Sequence, residues 1–449
     1  MRLRSLWLFI PVVIVIFVVA ILFLGRQRTP SETRGTEAQY LALFREVMGH
    51  VRKSYVEEVE PKKLLEGAIN GMLSSLDPHS AYLPPEPFTE MNIQITGSFG
   101  GVGIELSMKD DRLVVVAPIE DTPAERAGIR SNDHIFRIDQ KFTKGMTISD
   151  AVKLMRGTPG TPVTLTILRE GVARPLVFPL IRAEIKTKSV KSRLLSKGYG
   201  YIRISSFQGR TGDDFRAALA KLRTESGGTL KGLVIDLRNN PGGLIDQAAR
   251  VADTFIGEGL ESGLIVYTQG RTKESRQNLT AYVGQKEPHY PIVVLMNGGS
   301  ASASEILAGA LQDHKRAIIM GTQSFGKGSV QSIYPLREGA GLKLTTARYY
   351  TPNGRSIQAR GITPDILVPQ LRQLPLSSAK RSPVEIHEED LSNHLSSPDA
   401  SNRKKEAVRV MNEPVDPELK KDYQLLRAYE LLIGLDALSA FRHYSAARK

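Results

Sequence analysis

The apolar positions of this chain change period several times, and each change predicts a different element. Leu6 to Leu24 is an unbroken run of 19 apolar residues, Pro11 among them. As a helix it would span about 28 Å at 1.5 Å per residue, close to the hydrocarbon thickness of a bilayer. The run is longer than the apolar region of most signal peptides, and Phe23-Leu24-Gly25-Arg26 offers no small-x-small cleavage site. Residues 1–30 therefore read as an uncleaved transmembrane anchor. Arg2 and Arg4 precede the run and Arg26, Arg28 and Arg34 follow it, so basic residues set no orientation. From Thr36 the period becomes helical: Tyr40, Leu43, Phe44, Val47, Val51 and Tyr55 share one face. After Pro61 a second face collects Leu64, Leu65, Ala68, Ile69, Met72, Leu73 and Leu76. Residues 36–96 are thus predicted to open with a helical hairpin, broken at Asp77-Pro78-His79-Ser80.

Beyond it the period shortens. Residues 97–182 carry strand patterns at Gly101–Leu106, Leu113–Ala117, Ile135–Ile138 and Val163–Leu168. Two helices punctuate them, one ending near Ala127 before Gly128 and one over Thr147–Arg156, where Asp150 completes a capping pattern. Residues 183–370 alternate strand and helix: Gly200–Phe207, a helix after Gly212, Gly232–Leu237, a helix after Gly243, Ile292–Met296 and a helix after Ser302. That alternation predicts an α/β core. From 371 to 414 the composition turns to Ser, Pro and charge without periodicity, which reads as a linker. In the tail, residues 415–449, Asp416-Pro417 caps a helix that continues through Tyr423, Leu426, Tyr429 and Leu432. The whole is an α+β multidomain chain with helical ends.

Composition narrows the chemistry. The chain has 449 residues and no cysteine, which removes disulfides, thiolate nucleophiles and cysteine zinc sites together. Its formal charge is +13, but Lys and Arg are interleaved with Asp and Glu. With only 6% aromatic residues and no stacking pattern, nucleic acid is not an expected partner.

The densest candidate chemistry lies between Asn297 and Gln331. Ser302-Ala-Ser-Glu305 fits a capping box, in which the serine caps an amide three residues on and the glutamate reaches back. Gly321 to Lys327 nearly matches a phosphate-binding loop. Gly328 stands where that loop needs a hydroxyl, and Ser329 to Pro335 does not continue as a helix, so a nucleotide site is rejected. Upstream, Leu233 to Leu237 runs into Arg238-Asn-Asn-Pro-Gly-Gly243. Such a turn aims backbone amides outward, for packing or for holding negative charge. His79 sits on a proline turn and reads as a turn or packing residue; no acidic pattern supports a serine–histidine triad. A lysine can serve a serine as base if it is held neutral. Lowering its pKa from about 10.4 to near 7 costs at least about 4 kcal/mol, a shift that burial commonly supplies. Glycines on both sides of Lys327 permit close backbone packing. Gln331 could accept from its amine if the stretch makes a helical turn; in an extended strand it would be too far away.

Two resemblances follow. Gly100-Gly-Val-Gly-Ile104 and its surroundings resemble a PDZ domain. The resemblance implies that Gly101, Val102, Gly103 and Ile104 hold a peptide's terminal carboxylate while its tail adds to the following strand; a plain glycine hairpin is the alternative. The larger pattern resembles the carboxy-terminal processing (tail-specific) proteases. It is carried by Leu76-Asp-Pro-His-Ser80, the PDZ loop, Asp236 to Gly243, Gly299 to Glu305, Phe325 to Gln331 and Arg348 to Gln358, in the family's order over residues 36–370. The resemblance implies a crotonase-like core with Ser302 as nucleophile, Lys327 as general base, Gln331 orienting Lys327, and the amides of Gly243 and Ala303 as oxyanion hole. It further implies proteins with apolar C-terminal tails as substrates, no metal or cofactor, and an exported catalytic portion held at the inner membrane and facing the periplasm or envelope. Apolar faces at both helical ends suit a homo-oligomer, and an adaptor that delivers substrates is compatible with the sequence. The rival readings are a PDZ adaptor that binds tails without cutting and an acyl-CoA enzyme of the crotonase type. Ser302, Lys327 and Gln331 together argue against both.

Overall fold

The computed structural model describes residues 36–195, 198–257, 263–284, 286–370, 387–395 and 422–446. The expected anchor at residues 6–24 lies outside them, as does most of the stretch read as a linker. Among the described residues no helix is long and apolar enough to cross a membrane. The chain divides into two units, one ending at Met72 and one beginning at Leu73. In the first, the helix Glu37–Ser54 starts at a capping box between Thr36 and Gln39, and Pro61 opens the next helix, Pro61–Ser74, where its missing N–H costs nothing. Both predicted helices are present. The first buries none of its residues, and Tyr40, Leu43 and Val47 are more than half exposed.

The second unit contains a small antiparallel sheet ordered Ile104–Lys109, Arg112–Pro118, His134–Ile138, Pro162–Leu168, Leu176–Ile181. Its core gathers Leu113, Val115, Ile135, Ile138, Val163, Leu165 and Ile167. The helix Ile148–Met155 carries the expected Thr147–Asp150 capping box. The stretch predicted as one strand over Gly101–Leu106 is two, Ser98–Gly101 and Ile104–Lys109, because Gly103 turns through a φ of 79°.

The remainder is built on a six-stranded sheet. Val190–Leu194 pairs antiparallel with Tyr199–Ile204; Gly232–Asp236, Ile292–Met296, Ile318–Gly321 and Ile366–Leu367 then follow in parallel. Both faces are covered, which is why the central strands read as unbroken apolar runs. Leu233 and Ile235 face the helices Thr211–Glu225, Ile245–Asp253 and Ala303–Asp313. Val234, Val293 and Leu295 face the tail helix Tyr423–Ala446 through Tyr423, Leu425, Ala428 and Leu432. A second sheet, all antiparallel, centres on Gly341–Tyr350, with Ala81–Leu83, Ser329–Pro335 and Leu264–Gln269 paired to it.

Candidate active site

Ligands of open parallel sheets collect beyond the carboxyl ends of the strands, and three adjacent strands here deliver the candidate residues to one place. The turn 237–243 leaves Gly232–Asp236, the turn 297–302 leaves Ile292–Met296, and the loop 322–328 leaves Ile318–Gly321. Asparagine and serine side chains stitch the first two together. Asn239 N–H donates to Asn297 Oδ1 at 2.8 Å and Asn297 Nδ2 to Asn239 Oδ1 at 2.8 Å. Ser300 Oγ donates to the Leu237 carbonyl at 2.8 Å, and Ser304 Oγ and Ala301 N–H both donate to the Asn240 carbonyl at 3.0 Å. Small polar residues suit this edge because each satisfies a neighbour's backbone that no strand can reach.

Ser302 stands immediately before the helix Ala303–Asp313, with φ 57° and ψ −116°. That backbone is strained for an L-residue, at a cost on the order of 1–3 kcal/mol, and such strain collects at functional sites. Its side chain makes no cap hydrogen bond. Glu305 takes its place in the expected capping box: Ser302 N–H donates to Glu305 Oε2 at 2.7 Å. The Ser302 side chain lies beside the phenol of Tyr349, which is 1% exposed and donates to the Lys327 carbonyl.

Gly242, at φ 101°, lies against the same point; a Cβ there would stand 2.7 Å from Ser302 Cβ and 2.9 Å from Ala303 N. Next to it Gly243 runs so close to Phe207 that its own Cβ would meet the Phe207 carbonyl at 2.2 Å. Among the described residues neither the Gly243 nor the Ala303 amide donates a hydrogen bond. Two free amides thus flank a helix start, where the dipole favours negative charge.

Lys327 is half-buried on its glycine loop. Burial and the nearby Lys343 push its pKa down, while Glu388, Glu305 and Asp77 pull it up; the net direction is downward. Gly328 is required because a Cβ would lie 2.3 Å from the Gln358 amide. Glu305 is fully buried and accepts from Ser324 Oγ at 2.6 Å and from the amides of Gly326 at 2.7 Å and Lys327 at 3.0 Å, besides Ser302. One carboxylate therefore holds the serine and lysine segments together. Burial raises its pKa to about 7 against the downward pull of those donors.

Gln331 does not meet Lys327 in a helical turn. It lies on the strand Ser329–Pro335, at a bulge between Val330 and Gln331. Its amide nitrogen donates to Ser329 Oγ at 3.0 Å and Thr345 Oγ1 at 3.3 Å. Pairing with Gly341–Tyr350 makes the stretch extended, so the helical spacing on which direct contact depended does not arise.

Gly101 to Ile104 line a cavity of about 110 Å³ together with Phe99, Val152, Met155 and Arg156. Ile104–Lys109 is the edge strand of its sheet, and an edge can take an added peptide strand. The described residues contain no group of His, Asp and Glu arranged to hold a metal.

Sequence reasoning passed over Tyr349, Glu388 and the structural reach of Glu305. The capping pattern was a signal for Glu305, and Arg348-Tyr-Tyr within the family pattern was one for Tyr349. Glu388 gave none, since it stands in a charged stretch without periodicity.

Comparison with known proteins adds identity to this geometry. Residues 198–368 match the model of peptidase family S41, residues 100–177 that of the PDZ domain, and residues 25–86 that of the activating protease CtpB N-terminal domain. A carboxy-terminal-processing protease of Bartonella bacilliformis is 46% identical over 430 residues, covering 95% of this chain and 96% of that protein. The carboxy-terminal processing protease CtpB of Bacillus subtilis is 36% identical over 348 residues, 76% of this chain and 71% of that protein. Among solved structures, the photosystem II D1 C-terminal processing protease is 30% identical and covers 73% of this chain and 86% of its own, with a TM-score of 0.42.

Proposed function

We propose that this chain, which belongs to the carboxy-terminal processing proteases of peptidase family S41, cuts its substrates with Ser302 as nucleophile and Lys327 as general base. The family makes it a serine-type peptidase with a PDZ domain; the assignment of roles is ours. Neutral Lys327 takes the proton from Ser302 Oγ as the oxygen bonds to the substrate carbonyl carbon. The amides of Gly243 and Ala303 hold the resulting oxyanion, each such donor being worth about 3 kcal/mol. The ammonium of Lys327 then returns the proton to the leaving amine as the C–N bond breaks, and water resolves the acyl-enzyme by the reverse sequence. Gln331 acts through Ser329 and Thr345, fixing the strand that follows Lys327. The observation that carries this reading is the single buried Glu305 carboxylate, which joins the amide of a strained, uncapped Ser302 to the loop of a lysine whose pKa is depressed.

The PDZ groove between Ile104–Lys109 and Ile148–Met155 would capture apolar C-terminal tails, with Gly101 to Ile104 at the carboxylate. Residues 6–24 would anchor the chain in the inner membrane with its catalytic portion toward the periplasm or envelope. The exposed stripe of Glu37–Ser54 suits contact with a second copy.

The deciding experiment compares the chain with its Ser302→Ala and Lys327→Ala forms on an unstructured protein ending in apolar residues. Both variants should lose cleavage while still binding a tail peptide. Cleavage that persists in Ser302→Ala sinks the assignment.

A further inference from the structure

Two stretches far apart in sequence meet beside the Lys327 loop, and the reaction as written uses neither. One is the turn at Asp77-Pro78-His79-Ser80. Asp77 Oδ1 accepts the amides of His79 and Ser80 at 2.8 Å, and its Oδ2 accepts Ser80 Oγ at 2.7 Å. Ser80 Oγ in turn accepts the amide of Thr345 at 3.1 Å, fixing the turn to the strand Gly341–Tyr350. The other is the segment 387–395, which lies beyond the stretch 198–368 matched by the peptidase family.

Glu388 joins them. It is fully buried, and both its carboxylate oxygens lie 2.8 Å from His79 Nε2. Its amide donates to the Phe325 carbonyl at 3.0 Å. Gln358 Nε2 donates to its Oε1 at 2.9 Å, and Gln358 Oε1 accepts the amide of Gly328 at 2.9 Å. Glu388 therefore grips Phe325-Gly326-Lys327-Gly328 at both ends, once through its own backbone and once through Gln358.

We propose that Glu388 is a positioning residue for Lys327, and that His79 is the side chain that holds Glu388 in place. A buried carboxylate is a costly way to tether a loop that an apolar contact could hold, and it makes chemical sense where its charge also steadies the ammonium that Lys327 becomes once it has taken the serine's proton. The charged groups that act on that amine are Lys343, which opposes its protonation, and Glu388, Glu305 and Asp77, which favour it. Burial would raise the pKa of the Glu388 carboxyl, but the hydrogen bonds from His79 and Gln358 and the nearness of Lys327 outweigh it, and the net direction is downward.

The inference rests on Lys327 being the base. In the full-length chain, kcat and KM on the apolar-tailed reporter are followed across the neutral pH range for Glu388→Gln, Glu388→Asp and His79→Gln, with Lys327→Ala alongside. Glu388→Gln removes a charge that favours the ammonium, so the acid limb of the rate profile should move to lower pH by about half a unit or more. Its kcat should fall about tenfold with KM little changed. Glu388→Asp keeps the charge and should keep the wild-type limb. His79→Gln, at a side chain 14% exposed, should lower kcat without raising KM. A Glu388→Gln enzyme with wild-type kcat and limb overturns the proposal, as does an equal shift in the Gln and Asp variants. Should Glu388→Gln fail to fold, His79→Gln decides, and wild-type kcat there overturns it. Activity surviving in Lys327→Ala would instead overturn the Ser302–Lys327 reading itself.

Discussion

Glu305 Oε2 accepts the backbone amide of Lys327 at 3.0 Å, and the same oxygen accepts the amide of Ser302 at 2.7 Å. A glutamate at the third position of a helix ordinarily closes a cap. This one also fixes the loop of the candidate base relative to the candidate nucleophile. Glu305→Gln turns one acceptor of four donors into a donor, leaving two buried contacts donor to donor. Each unmade contact costs about 1–3 kcal/mol, so denaturant unfolding should show a loss of roughly 2–6 kcal/mol. Steady-state kinetics should show kcat at least about a hundredfold lower with a modest change in KM.

The same carboxyl gives stability a pH dependence of definite sign. Burial raises its folded pKa to about 7 from an ordinary 4.5. Because the folded value is the higher one, the native chain keeps a proton that the unfolded chain has released. Its contribution is full below the unfolded value and declines as pH rises through the interval toward about 7. Unfolding free energies of the chain and of Glu305→Gln, compared across that interval, should show the native form losing ground with rising pH. A constant difference would refute this. Activity should move oppositely, since only the carboxylate can take all four donors.

Tyr349 supplies the second link between the two loops. Burial drives its pKa well above the usual phenol value, so it remains a donor wherever the enzyme works. Tyr349→Phe leaves the Lys327 carbonyl without this partner and removes the phenol oxygen beside the Ser302 hydroxyl. The expected results are a loss of about 1–3 kcal/mol in stability and a fall in kcat of about tenfold, read by single-turnover acylation. Unchanged acylation would mean that the phenol only packs.

Periodicity made the parallel strands legible, because Leu233 to Ile235 and Ile292 to Leu295 are buried on both faces and must be apolar throughout. It also exposed the capped helix at Ile148–Met155 and the tail helix. The antiparallel sheet around Gly341–Tyr350 stayed hidden: most of its residues are half-buried, so no clean alternation marks them. The candidates Ser302 and Lys327 stood out by their spacing within a family pattern. Tyr349 and Glu388 were not legible as site residues, since hydrogen bonds between segments distant in sequence leave no local period. Gln331 shows the converse, a candidate whose direct contact with Lys327 required a turn where the chain forms a strand.

Gly242 tests the proposed oxyanion site while leaving the Ser302 hydroxyl and the Lys327 amine in the chain. Its φ of 101° disfavours any other residue, and a Cβ would press on Ser302 Cβ, the Ala301 carbonyl and the Ala303 amide, all within 2.9 Å. Gly242→Ala should cost about 1–3 kcal/mol of stability and at least about a hundredfold in kcat. Tail-peptide binding should be unaffected, so the two readouts separate local damage from unfolding.

Gly103 tests tail capture in the same way. Its φ is 79°, and a Cβ would lie 2.3–2.5 Å from three atoms of Thr122. Thr122 is buried, and its hydroxyl donates to the Ile119 carbonyl at 2.6 Å, so it cannot easily yield. Gly103→Ala should therefore distort the loop at the head of the edge strand Ile104–Lys109 while leaving the Ser302 side of the molecule intact. If tails are held there by backbone amides, the variant raises KM about tenfold or more for a substrate with a free apolar C-terminus and leaves kcat nearly unchanged, the signature of lost uniform binding. The same substrate with its terminal carboxylate amidated should already show a raised KM with the native chain, and Gly103→Ala should add little to it. Independent, multiplying effects of the two changes would place tail capture elsewhere.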